Sequence, residues 1–249
     1  MKKSAIVLFS GGKDCAYSLE EIAKSHKIIH LATSVNEDGC ATYTDGLEAP
    51  GNILDALSEL YKRKLTSEGH GTNIVKVNTS SKKPVEDFYR KIMAIAQRDN
   101  ITTVVTGDLE HDNGVNKEFE ALGCKKLGIE VISPAGDYFK KNGPEKYIIE
   151  LIRSGLDFII SAVRKGDLSK DYIGKQIKRD SIGEILREFP ELDITGEGGE
   201  FQTLVLGSKF LGESIEILEF GKSRYGKGRD GKNHLYSRMV DIKYSVLEN

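Results

Sequence analysis

Ala5-Ile6-Val7-Leu8-Phe9-Ser10-Gly11-Gly12-Lys13-Asp14-Cys15 is the stretch that decides the fold. An apolar run of strand length enters two adjacent glycines, after which Ala16, Leu19, Ile22 and Ala23 recur at helical spacing. Strand, glycine turn and helix in that order make a phosphate loop. Gly11 and Gly12 carry no Cβ, so the backbone can close on an anion, and the N–H groups of the first helical turn point at it. Ser10 adds a hydroxyl and Lys13 a positive charge. Because Asp14 follows the lysine, the stretch fits neither Gly-x-x-x-x-Gly-Lys-Ser/Thr nor Gly-x-Gly-x-x-Gly. A different nucleotide loop is implied.

Outward from this loop, the pattern alternates. Short β-branched runs at residues 5–9, 28–35, 74–77, 101–106 and 129–132 are separated by helical periodicities, as in a parallel sheet covered on both faces. Ile53, Leu57, Leu60 and Tyr61 share one helix face, as do Phe88, Ile92, Ile95 and Ala96 in a helix opened by Pro84. Val115, Phe119 and Leu122 predict a further helix after Gly114. Such a sheet binds its ligand beyond the carboxyl ends of its strands. Ser10, Ala32-Thr33-Ser34 and Thr106-Gly107-Asp108 are therefore expected to converge.

After Ser133-Pro134 the pattern changes. Lys141-Asn142-Gly143-Pro144 predicts a turn and helix start, residues 157–163 a strand, and residues 174–189 a polar helix. Strands are expected at 201–206, 214–220 and within 239–247. The expected fold class is α/β, a doubly wound and mainly parallel sheet followed by a smaller α+β domain. The boundary is placed at 134, giving an N-terminal domain over 1–134 and a C-terminal domain over 135–249.

The chain has 249 residues, 39% apolar and 30% charged, with a net charge of −2. That balance gives no overall attraction to nucleic acid or to anionic membranes. No apolar span reaches the length of a membrane helix and the N-terminus does not read as a signal peptide, so a cytoplasmic location is expected. Cys15, Cys40 and Cys124 are widely spaced, which argues against a disulfide framework or a structural zinc site.

The loop resembles the Ser-Gly-Gly-x-Asp-Ser signature of the N-type ATP pyrophosphatases, with Cys15 in place of the serine. A second block, Gly196-Glu197-Gly198-Gly199-Glu200-Phe201-Gln202-Thr203-Leu204-Val205, is similar to the Gly-Glu-Gly-Gly-Glu-Tyr/Phe-x-Thr segment of the diphthine–ammonia ligase family. The resemblance implies an ATP-dependent, AMP-forming ligase that adenylates a carboxylate, releases pyrophosphate and uses ammonia as nucleophile. It implies ATP and Mg²⁺ as cofactors, and as partner elongation factor 2 carrying diphthine. By resemblance, Ser10 to Cys15 carry over to ATP binding and Glu197 to Thr203 to the acceptor side.

The residues suggest roles within that frame. Backbone N–H groups, Ser10 and Lys13 are expected to hold the departing phosphates, with Lys13 as electrostatic stabiliser. Asp14 stands where a cation would bridge it to phosphate, so it is either a Mg²⁺ ligand or a helix cap. Cys15 is either a reactive thiol or a small residue in the serine's place. Ala32, Thr33, Gly107 and Asp108 are expected at the nucleotide, where Asp108 either binds or caps a turn. Glu110, His111 and Asp112 form either a metal cluster or a solvated loop. In the second block, Gly198 and Gly199 allow close approach, Glu197 and Thr203 join them in substrate binding, and Glu200 is expected to act on the acceptor amine. Residues 221–234, with Lys222, Arg224, Lys227, Arg229 and Lys232, read either as a docking loop or as a hairpin.

Between the blocks the chain departs from the family. Residues 110–120 contain no arginine, and the junction reads Ser133-Pro134-Ala135-Gly136-Asp137-Tyr138 rather than Pro-Leu-Trp. The departures leave two alternatives open. One is a relative that amidates a small-molecule carboxylate; the other is a nucleotide-binding or tRNA-modifying protein, although no RNA-binding segment is evident. A homodimer is compatible with either.

Overall fold

The computed structural model describes residues 2–36, 51–79, 83–110, 114–219, 224–227, 235–238 and 242–248. Its first half is a five-stranded sheet of order β3-β2-β1-β4-β5, built from β1 (Ser4–Leu8), β2 (Lys27–Val35), β3 (Asn73–Asn78), β4 (Thr103–Val105) and β5 (Glu130–Ile132). Every pairing is parallel. These strands fall on the five β-branched runs of the sequence; the central β1 and β4 are buried and apolar, while the edge strands β3 and β5 are partly exposed. Within β1, Ala5 and Val7 enter one core cluster while Ile6 enters another, as a strand's alternation requires.

Four helices cover this sheet: α1 (Lys13–Ala23), α2 (Gly51–Ser67), α3 (Pro84–Arg98) and α4 (Val115–Ala121). Helix α3 begins at Pro84, where the missing N–H costs nothing. Its Tyr89, Ile92 and Ala96 pack with Phe119 of α4 on one face of the sheet, and the Tyr89 and Phe119 rings lie 4.8 Å apart. On the opposite face, Leu19 of α1 and Leu57, Leu60 and Tyr61 of α2 are fully or almost fully buried. Each such side chain contributes roughly 1.5–3 kcal/mol.

Two helices follow: α5 (Pro134–Asn142) and α6 (Pro144–Arg153). The junction residues fold into α5, where the sequence pattern shows only a change. Ser133 Oγ accepts a hydrogen bond from Gly136 N there, and Pro134 fills the first turn.

The second sheet has six strands in the order β11-β8-β7-β6-β10-β9. They are β6 (Asp157–Arg164), β7 (Phe201–Gly207), β8 (Glu213–Glu219), β9 (Arg224–Lys227), β10 (Leu235–Arg238) and β11 (Lys243–Glu248), and all its pairings are antiparallel. A shorter helix, α7 (Arg179–Glu188), lies between β6 and β7 in sequence. The helix expected over 174–189 therefore starts five residues late. Residues 174–178 are instead drawn onto β6, where Gly174 N donates to Ile160 O and Gln176 bridges to Ile159. Backbone pairing with a neighbouring strand overrides helical periodicity there.

The fold is thus α/β, with a mainly parallel sheet followed by a smaller α+β part. One core cluster passes residue 134 without interruption, from Val7 and Leu57 through Tyr147 to Phe158, Leu204 and Ile215. Among the described residues no helix is long and apolar enough to cross a membrane.

Candidate active site

The strand order reverses beside β1, which places a crevice between the loops that follow β1 and β4. A cavity of about 580 Å³ occupies that position. Ser10, Lys13, Ala32, Ser34, Thr106 and Asp108 line it together with Glu197 and Thr203, so the carboxyl ends of three strands meet the second sequence block. Phe88 and Tyr89 of α3 supply an apolar wall.

The phosphate loop is held by its own geometry. Gly11 has φ +77°, and a Cβ there would lie 2.8 Å from Leu54 Cδ1, so only glycine fits. Gly11 and Thr33 are not among the lining residues; Thr33 is buried, with its hydroxyl donating to Phe9 O at 2.8 Å. Gly12 precedes α1 in extended conformation and has no side chain to cap the helix, so the Thr203 hydroxyl takes one first-turn N–H, that of Lys13. The first-turn N–H groups that remain suit an anion.

Cys15 is buried. Its Sγ donates to Gly12 O at 3.1 Å and accepts from Ser10 N at 3.4 Å, bracing the loop across its base. Burial pushes the thiol's pKa up despite the bonds from Ser10. The group is a neutral brace, which runs against thiolate chemistry.

Lys13 and Asp14 tie the loop to the rest of the chain. The Lys13 ammonium is 3% exposed and donates to Asp14 Oδ2 at 2.8 Å and to Thr195 O at 2.6 Å. Lys13 N donates to Thr203 Oγ1 at 3.2 Å, and Val205 N donates to Gly11 O at 2.8 Å. Asp14 Oδ1 accepts from the hydroxyl of Tyr147, on α6, at 2.7 Å. Burial first, and then the Asp14 charge, hold the Tyr147 phenol well above its ordinary pKa, so it stays a donor.

At the end of β4, a Cβ on Gly107 would lie 2.5 Å from Cys15 N and 2.8 Å from Asp14 C. Glycine is what lets this loop abut the first turn of α1. Thr106 Oγ1 is buried at the cavity and has no hydrogen-bond partner among the described residues, as expected of a site that receives a polar ligand. Asp108 accepts from Glu110 N at 3.2 Å and Val115 N at 2.9 Å, capping the turn into α4. Its carboxylate also reaches Glu197.

The two acids of the second block face different ways. Glu197 lines the cavity with an open face to water, and burial of its inner side together with the charges of Asp14 and Asp108 pushes its pKa up to about 8, against the pull of Lys13. Glu200 does not line the cavity. Its carboxylate folds back over Gly198 and lies 3.9 Å from Arg164 Nη2, while Arg164 Nη1 donates to Gly198 O at 2.7 Å. Glu200, Gly198 and Gly199 therefore form the turn behind the cavity wall. Arg164 N also donates to Glu200 O at 2.7 Å and holds that turn to β6.

Among the described residues no group of three Asp, Glu, His or Cys side chains has metal-holding geometry. His111, Asp112, Cys40 and much of the basic segment 221–234 lie outside the described residues. Tyr147 and Thr195 carry no signal of this role in the sequence. A tyrosine on an amphipathic helix reads as core, and Thr195 acts through its carbonyl, which no side chain announces.

Residues 143–235 match the model of the diphthamide synthase C-terminal domain family. A curated relative, the diphthine–ammonia ligase of Schizosaccharomyces pombe, is 27% identical over 222 residues, covering 85% of this chain and 36% of that protein. The chain thus spans about a third of the relative's length. Phosphate loop, second block and both matches agree in making the chain similar to the diphthine–ammonia ligases.

Proposed function

We propose that the chain is an ATP-dependent, AMP-forming ligase that converts a carboxylate to an amide with ammonia, the carboxylate being that of diphthine on elongation factor 2. The observation that carries this reading is the convergence of the phosphate loop and Glu197 on one cavity, bolted together by Lys13. A loop for a polyanion and a carboxylate able to take a proton then face the same reacting carbon. Diphthine and ammonia are named by the relative, and the substrate comes to this chain through that likeness.

In this mechanism a substrate carboxylate oxygen attacks the α-phosphorus of ATP and the bond to the β-phosphate oxygen breaks. The first-turn N–H groups of α1 other than that of Lys13, which Thr203 takes, bind the departing pyrophosphate together with Ser10 and the Lys13 ammonium. Each charge-assisted bond contributes roughly 1.5–3 kcal/mol. The acyl carbon, now carrying AMP as leaving group, is attacked by ammonia, whose excess proton passes to the Glu197 carboxylate. The Thr106 hydroxyl, without a partner among the described residues, hydrogen-bonds the nucleotide.

Lys13 alone does not balance the charges of Asp14, Asp108 and a triphosphate. Asp14 would be the residue to hold a Mg²⁺ ion brought with the nucleotide, since Mg²⁺ keeps several waters and needs only one or two carboxylates. When bound, the ion neutralises phosphate charge.

The test is product analysis with ATP, Mg²⁺ and ammonium, with and without diphthine-bearing elongation factor 2. AMP and pyrophosphate formed only with the factor, with the mass change of acid to amide, support the whole reading. AMP formed regardless of the factor points to a small carboxylate, and ADP with phosphate overturns the phosphate-loop chemistry.

A further inference from the structure

We infer that Tyr147 is a positioning residue of the nucleotide site: from α6, its hydroxyl fixes the Asp14 carboxylate in the orientation that the phosphate loop presents to the cavity. The inference rests on the reading of that loop as an ATP site.

Tyr147 is fully buried, and its ring is set by three aromatic neighbours. The Tyr17 ring lies 6.0 Å away at 89°, Phe139 6.1 Å away at 82°, and Tyr138 6.3 Å away. Edge-on packing of this kind sets the ring, so the position of its hydroxyl oxygen is fixed from the aromatic cluster, and Asp14 Oδ1 sets where the hydrogen points. Packing alone would be served by phenylalanine. The hydroxyl is spent on one atom, Asp14 Oδ1, at 2.7 Å.

The other Asp14 oxygen is taken by Lys13 Nζ at 2.8 Å, and that ammonium is itself anchored on Thr195 O. The carboxylate is thus gripped at both oxygens by donors that cannot move independently of the second half of the chain. Without the Tyr147 bond, Asp14 would be free to turn both oxygens to Lys13. That would draw the ammonium and the carboxylate together and away from the phosphates. A donor held this way places a catalytic group without touching substrate, as supporting hydrogen bonds do in other sites.

The position of α6 adds a consequence. Tyr147 lies within the segment that matches the C-terminal family domain, yet its hydroxyl ends in the phosphate loop. The second half of the chain therefore shapes the phosphate contacts and not the acceptor side alone.

The experiment measures ATP and AMP binding to the full chain by calorimetry with Mg²⁺ present, for the wild type, Tyr147→Phe and Tyr17→Phe. Losing one charge-assisted hydrogen bond that orients Asp14 is expected to weaken ATP by about tenfold. AMP lacks the β and γ phosphates, so its affinity in Tyr147→Phe stays within about twofold of the wild type. Tyr17→Phe alters the same aromatic cluster without touching Asp14 and leaves both affinities unchanged. Equal losses for ATP and AMP in Tyr147→Phe, or no loss for either, overturn the inference and leave Tyr147 a core residue. A wild-type chain that binds neither nucleotide removes the ATP reading itself, a result distinct from these.

Discussion

The Lys13 ammonium sits 2.6 Å from the backbone carbonyl oxygen of Thr195. A single side chain thereby joins the phosphate loop to the segment that carries Glu197, and it does so almost wholly out of water, at 3% exposure. A buried ammonium is tolerated only where its hydrogen-bonding capacity is met, here by Asp14 and Thr195.

Lys13→Ala should therefore act twice. It removes the charge that faces the departing pyrophosphate and leaves the Asp14 carboxylate with one partner fewer. Pyrophosphate release is expected to fall at least a hundredfold, and urea denaturation to report a loss of about 1–3 kcal/mol. A variant that keeps more than a tenth of the release would show that Lys13 is only a structural bolt.

Cys15→Ser is the opposite case. The thiol's partners, Gly12 O and Ser10 N, can both bond a hydroxyl, and the site is tight but polar. Pyrophosphate release within about threefold of wild type is expected from a conservative swap of a bracing group. Complete loss with ATP affinity intact would revive a thiol in the mechanism.

Gly107→Ala tests the approach of the two loops. Its new methyl would lie 2.5 Å from Cys15 N and 2.8 Å from Asp14 C, atoms of backbone that cannot rotate away. Over-packing of this kind costs roughly 1–3 kcal/mol. The loss should appear in thermal melting together with weakened ATP binding, because the displaced backbone is the first turn of α1. Unchanged melting would mean that the β4 loop yields freely.

The parallel sheet was legible in advance because its central strands β1 and β4 are buried and spell apolar runs, and because β-branched residues mark β2 and the partly exposed edge strand β3 as well. Residues 28–35 and 74–77, for example, became β2 and β3 with ends shifted by one residue. The convergence of Ser10, Ala32, Ser34 and Asp108 followed from topology alone. What the sequence hid was direction. Glu197 and Glu200 are near neighbours in one glycine-rich block, and nothing local says which carboxylate faces the cavity. Arg164, distant in sequence, decides it by drawing Gly198 and Glu200 to β6. Tyr147 was hidden for the same reason, since its partner Asp14 lies across the whole first sheet in sequence.

Glu20 gives a stability prediction away from the site. It is a buried residue of α1 that faces Tyr61 of α2, whose hydroxyl donates to Oε1 at 2.7 Å. Burial raises its pKa above the usual carboxylate range, against the bonds from Ser208 and Tyr61. A carboxyl that holds its proton more tightly when folded stabilises the fold below its unfolded pKa, and that contribution is lost as pH rises through the folded value. Glu20→Gln should thus melt higher than wild type at neutral pH, by roughly 2–4 °C for about 1 kcal/mol, and equal it near pH 4. A variant that melts lower at pH 7 would show that the charged form is the one the fold favours.

Glu197→Gln and Glu200→Gln separate the two acids of the second block. Glu197 faces the cavity and is the group positioned to take a proton from attacking ammonia, whereas Glu200 is folded against Gly198 beside Arg164. Glutamine at 197 keeps the shape but accepts no proton. It should leave ATP affinity within about threefold and slow amide formation by a hundredfold or more, the usual worth of a general base. Adenylation, followed as exchange of labelled pyrophosphate into ATP, should persist. At position 200 the same change should loosen the turn, lowering the melting temperature and both half-reactions together. If Glu200→Gln alone abolished amide formation while exchange and melting stayed normal, the proton would have to be assigned to Glu200, after a rotation of that carboxylate out from behind Gly198.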